Sequence, residues 1–71
     1  MSEFHLRGDY MTLEALLKAS DLAGLGQLAR AQIAAGAVRV NGEVETRRGK
    51  KLRVGDTVAL GKARVSLVAE A

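Results

Sequence analysis

One short stretch constrains this chain more than any other: Val38-Arg39-Val40-Asn41-Gly42-Glu43-Val44. Val38 and Val40 alternate with Arg39, the period of a half-buried strand. Asn41-Gly42 is a strong hairpin signal, because a type I′ turn needs positive φ at both central residues. Val44 is then expected to return the chain to the apolar face. Just upstream, Gly36 fits the position after a helix end, where glycine adopts positive φ without strain. Just downstream comes a basic run, Arg47-Arg48-Gly49-Lys50-Lys51-Leu52-Arg53. The segment therefore reads as helix stop, strand, tight turn, strand and basic loop. The hairpin is scaffold, and the cations it carries are the candidate functional groups.

With 71 residues, the chain is expected to form a single domain, residues 1–71. A domain of this size buries only roughly 60% of the surface its unfolded chain exposes, so the core is thin. There is no cysteine, so neither a disulfide nor a thiolate metal site is available, as suits a reducing compartment. No apolar run approaches the length of a membrane span and nothing resembles a signal peptide. The expected setting is the cytoplasm, away from any membrane.

Charge is unevenly distributed. Residues 1–29 carry a net −2, and residues 54–71 are neutral. Between them, Arg30, Arg39, Arg47, Arg48, Lys50, Lys51 and Arg53, set against Glu43 and Glu45, leave residues 30–53 at +5. One third of the chain thus holds seven of its eleven cations. Such clustering is the footprint of a polyanion partner, or of a solvated loop that maintains solubility. Charge alone does not separate the two.

Around the hairpin the remaining elements fall into place. Glu3 to Arg7 reads as a strand with Phe4 and Leu6 on one face, broken by Gly8-Asp9. Thr12 is a candidate N-cap, Glu14 suits the first helical turn and Lys18 the last. Leu13, Leu16 and Leu17 form one apolar stripe. A connector over 20–26 leads to a second helix expected from Leu25 to Ala35, with Ala29 and Ile33 on its buried side. Gln27, Arg30 and Ala31 share a neighbouring face that a large partner can approach. Gly55-Asp56 is a turn whose aspartate has local hydrogen bonds to make. Thr57–Leu60 and Ala63–Val68 are strands joined by Gly61-Lys62. The expected fold class is α+β: two helices packed on a small, mostly antiparallel sheet, with an added N-terminal strand.

Arg30, Ile33, Gly36, Val38, Val40-Asn41-Gly42, Leu52, Gly55-Asp56 and Val58 stand in the order and spacing of the S-four RNA-binding domain, the αL motif. The chain is most similar to small stand-alone bacterial members of the YbcJ/YaaA type. Thr12-Leu13-Glu14-Ala15-Leu16-Leu17-Lys18 and Val44-Glu45-Thr46-Arg47-Arg48 match runs of that subgroup. The resemblance covers about residues 3–68. It implies RNA binding without catalysis, with Gln27 and Arg30 on the second helix, Arg39 and Asn41 on the hairpin, and Arg47, Arg48, Lys50, Lys51 and Arg53 in the loop facing RNA. Two departures stand out. Thr12-Leu13-Glu14 replaces the Arg-Leu-Asp of many members, removing a first-helix arginine. Leu28 occupies a place where a polar residue is usual, either tucked under the N-terminal strand or forming part of a protein contact.

The chemistry of such a site is phosphate recognition: arginine offers a planar fork of donors and lysine a mobile point charge. Side chains cannot read the deep, narrow major groove of A-form RNA, so a basic ledge grips structured RNA, ribosomal or transfer-RNA-like, by phosphates and shape. Four to six neutralised phosphates correspond to a log K–log salt slope of roughly −3 to −5. The only aromatics are Phe4 and Tyr10. Both lie in the acidic third and are expected at the core or its edge, which argues against recognition by base stacking. Duplex DNA is a variant partner that shape recognition of A-form would disfavour.

An enzyme is not expected. His5 is the only histidine, so no nucleophile–base pair or zinc site can be assembled, and no Gly-x-Gly-x-x-Gly loop is present. No cofactor is called for. The alternative to RNA binding is a protein-interaction adaptor associated with a ribosomal protein or an RNA-modifying enzyme, suggested by Leu28 and the acidic N-terminal third. A monomer is expected, since one core uses the small apolar set.

Overall fold

The computed structural model describes residues 2–20 and 28–70. Strand β1 (Ser2–Leu6) is followed by β2 (Met11–Thr12), helix α1 (Leu13–Ser20) and helix α2 (Ala29–Ala34). Then come β3 (Val38–Val40), β4 (Glu43–Val44), β5 (Lys51–Leu52), β6 (Thr57–Leu60) and β7 (Ala63–Ala69). Five strands form one sheet in the order β1-β7-β6-β3-β4, and β2 and β5 form a separate two-stranded ribbon. Every pairing is antiparallel except β1 with β7. The chain between those two strands includes both helices, a connection long enough to bring them together in parallel. The α+β class with a mostly antiparallel sheet is the one expected.

Alternation along the strands decides what is buried. Val38 and Val40 of β3, Val58 and Leu60 of β6, and Val65 and Leu67 of β7 point into one core. Arg39 and Arg64 point out of it. The helices close that face with Leu13, Leu16 and Leu17 from α1 and Ala29 and Ile33 from α2. The thirteen buried hydrophobic residues among those described are all aliphatic, and Phe4 packs only at the margin. Among the described residues no polar side chain is buried. Nothing in this core therefore demands a polar network, and its cohesion comes from area removed from water and close packing.

Two turns set the geometry around the site. Gly36 sits at φ +77, with its amide donating to the Ile33 carbonyl and the Ala37 amide to the Gln32 carbonyl, at 3.0 and 3.1 Å. This pair of bonds is the Schellman closure of a helix. Asn41 and Gly42 both have positive φ, +53 and +86, and close β3 onto β4 as a two-residue I′ turn.

Several expectations need correction. The two-residue turn pairs Val44 with Arg39, so Val44 lies on the outward face and is 50% exposed. Leu28 is not tucked under β1; it is 51% exposed. Tyr10 is 45% exposed rather than part of the core or its edge. The ribbon β2–β5 was not anticipated, because two-residue strands carry no periodic signal. The second helix is described only from Ala29 to Ala34, with Leu28 at its N-cap. The expected start at Leu25, and Gln27, lie outside the described residues.

Candidate nucleic-acid interface

The basic loop between β4 and β5 is built onto the start of α1. The first three amides of an α-helix have no partner within the helix. Here the Leu13 amide donates to the Lys50 carbonyl at 2.9 Å and the Glu14 amide to the Arg48 carbonyl at 3.0 Å. The Ala15 amide donates to Thr12 Oγ1 at 3.2 Å, which makes Thr12 the N-cap expected from the sequence. The loop thus satisfies two helix amides that solvent would otherwise have to satisfy. Its backbone is held at both ends of this contact, and its next residues, Lys51 and Leu52, pair with Thr12 and Met11. Leu52 is fully buried.

Two carboxylates orient three cations: Glu45 holds Arg47, and Glu14 holds Arg30 and Lys18. Glu45 accepts from the Arg47 backbone amide and Nε, both at 3.0 Å, and from its Nη2 at 3.2 Å. These bonds to Arg47 hold the Glu45 carboxyl down at about 2, from an ordinary value of 4.5. Glu14 accepts from Arg30 Nε on α2 and pairs with Lys18 at 3.3 Å. The Arg30 bond foremost, with Lys18 assisting, keeps the Glu14 carboxyl below its usual range. Since the Glu14 amide is also bonded to the Arg48 carbonyl, α2 and the basic loop meet at this one residue.

Asp56 ties the far end. It accepts from the Arg53 amide at 2.8 Å and from Asn41 Nδ2 at 3.0 Å. Asn41 Oδ1 in turn accepts from the Thr57 amide at 2.9 Å. Burial works against ionisation of Asp56, but the Arg53 and Asn41 bonds and the nearby Lys50 and Arg53 charges outweigh it and lower its pKa. The local hydrogen bonds expected of Asp56 are present. Asn41, expected as an RNA contact, has its amide engaged in clasping the hairpin to β6, although the side chain remains exposed.

The predicted site residues therefore fall into groups. Arg30, through its side chain, and Arg48, through its carbonyl, meet at Glu14 in the first turn of α1. Arg39 lies over the hairpin, donating to the Gly42 carbonyl at 3.2 Å. Between hairpin and loop runs a groove lined by Val40, Asn41, Glu43, Val44, Glu45, Arg47 and Lys50. Lys51 extends over the ring of Tyr10, its Nζ 4.9 Å from the centroid. The side chains of Arg48 and Arg53 are exposed and make no hydrogen bond or ion pair among the described residues. Glu14 and Glu45, which aim Arg30 and Arg47, were not singled out from the sequence as site residues. The close spacing of Glu45 and Arg47 was the available sign. Among the described residues no cluster of acidic or histidine side chains could hold a metal.

The basic loop of this small α+β domain is thus anchored through its backbone to the start of α1. A family model described as the S4 domain matches residues 4–68, and the chain belongs to that family. S4 domains are generally RNA-binding modules and generally non-catalytic. A comparison with curated proteins finds no match. No helix among the described residues is long and apolar enough to cross a membrane.

Proposed function

We propose that this chain is a non-catalytic RNA-binding module of the small stand-alone bacterial YbcJ/YaaA type. It grips structured RNA, ribosomal or transfer-RNA-like, through Arg30, Arg39, Asn41, Arg47, Arg48, Lys50, Lys51 and Arg53, with Gln27 as a further contact. It acts in the cytoplasm as a monomer. The single observation that carries this reading is the anchoring of the basic loop to α1 by the Leu13 and Glu14 amides. A mobile basic loop loses conformational entropy on meeting a polyanion, whereas an anchored one has already been ordered by folding. Exposed arginines on such a frame meet phosphates at fixed separations, which is how a protein recognises A-form shape without reading bases.

The test is binding to structured RNA across a salt series, with duplex DNA of equal length beside it. RNA binding that weakens steeply with salt and exceeds DNA binding supports the proposal; equal affinity removes the argument from A-form shape, and no binding at low salt removes the function. One observation favours the adaptor reading, in which a ribosomal protein or RNA-modifying enzyme is the partner: Leu28 presents an apolar side chain to solvent. A protein recovered with the chain after complete nuclease digestion, and lost in Leu28→Gln, would support it.

A further inference from the structure

We propose that Tyr10 is a stacking platform for one unpaired nucleotide of the bound RNA, with Lys51 beside it meeting that nucleotide's phosphate. This rests on the RNA-binding reading and adds to it the class of RNA: a helix interrupted by a bulge, loop or free end.

The chain has only two aromatic side chains. Phe4 packs against the core margin, while Tyr10 is 45% exposed. A core filled entirely by aliphatic residues makes no use of the Tyr10 ring. In the sequence Tyr10 belongs to the acidic third, but the antiparallel ribbon carries it to the basic loop. Met11 pairs with Leu52, so Tyr10 and Arg53 leave the ribbon at the same end. The ring is next to Lys51, whose Nζ lies 4.9 Å from the centroid, within the range of a cation–π contact. The frame beneath is firm: Leu52 is fully buried and the neighbouring Lys50 carbonyl receives the Leu13 amide.

A paired base within an A-form helix is covered by its neighbours and has no free π-face. A base splayed from a bulge or loop does, and aromatic side chains stack on it with little regard to its identity. A stacking base displaces the Lys51 ammonium from over the ring and leaves it next to the phosphate of the stacked nucleotide. The competing role for Tyr10 is support of the Lys51 stem, which requires only an apolar side chain.

Tyr10 is the single tyrosine and there is no tryptophan, so intrinsic emission reports on this one ring. The experiment compares two RNA hairpins differing by one bulged nucleotide, with emission corrected for RNA absorption. The expected result is quenching on saturation with the bulged RNA and little with the paired one. Tyr10→Leu should weaken bulged-RNA binding roughly ten-fold and leave paired-RNA binding and the salt slope unchanged. Tyr10→Phe, which keeps the π-face, should bind the bulged RNA like the wild type. If the wild type binds both hairpins with steep salt dependence, yet quenching and the Tyr10→Leu effect do not differ between them, the platform is refuted and the interface stands. If the wild type binds neither hairpin at low salt, the interface itself fails.

Discussion

Replacing both Arg48 and Arg53 by alanine should change how RNA binding responds to salt, by an amount that follows from the geometry. Seven cations surround the proposed interface. Two of them, Arg30 and Arg47, are already paired with Glu14 and Glu45. That leaves Arg39, Arg48, Lys50, Lys51 and Arg53 without a salt bridge among the described residues. If these five meet phosphates, counterion release gives a log K–log salt slope of about −4.5 on a duplex, a loss of roughly 500-fold in affinity between 50 and 200 mM salt. Removing Arg48 and Arg53 reduces the count to three, the slope to about −2.7 and the loss to roughly 40-fold over the same range. Both side chains are exposed. Their backbone groups, which make the loop's structural bonds, remain after truncation. The fold should therefore be unaffected, as a thermal melt would verify. Fluorescence anisotropy of a labelled RNA hairpin at four or five salt concentrations measures the slope. An unchanged slope in a folded double variant would refute the assignment of phosphate contacts to these two arginines. A wild-type slope near zero would refute electrostatic gripping altogether.

Gly36→Ala should destabilise the fold by about 1 kcal/mol, since a Cβ at φ +77 is strained. It would otherwise meet only the Val44 Cγ1 at an ordinary 3.6 Å, so a Tm fall of about 4–8 °C is expected by calorimetry, and no change would deny the strain. Leu52→Ala should cost about 2–5 kcal/mol in a urea melt, because a fully buried leucine is truncated in a thin core; a cost of a few tenths would mean the ribbon is dispensable. Acid should weaken the fold between about pH 4.5 and pH 2, because the Glu45 carboxyl, depressed to about 2 by Arg47, binds its proton more readily in the unfolded chain. That contribution is present above the ordinary carboxylate range and lost as pH falls through the depressed value. Glu45→Gln should therefore flatten the acid limb of stability measured by circular dichroism, and an unaltered limb would deny the linkage.

Most local features were legible in the chain itself because their causes are local. The helix stop at Gly36, the I′ turn at Asn41-Gly42, the Thr12 cap, the Leu13–Leu16–Leu17 stripe and the Asp56 turn each depend on backbone preference or on periodicity over a few residues. The concentration of cations over residues 30–53 is equally plain in the sequence. What escaped was decided by pairing between distant segments. Val44 looked apolar and inward, but the two-residue turn sets it opposite Arg39 and turns it outward. Tyr10 and Lys51 are far apart in the chain, and only the β2–β5 ribbon makes them neighbours. The anchoring of the basic loop likewise depends on helix amides at Leu13 and Glu14 finding carbonyls at Lys50 and Arg48. A run of arginines and lysines specifies charge by itself. Where that charge is held depends on which unsatisfied backbone groups meet across the fold, and that the tertiary structure alone decides.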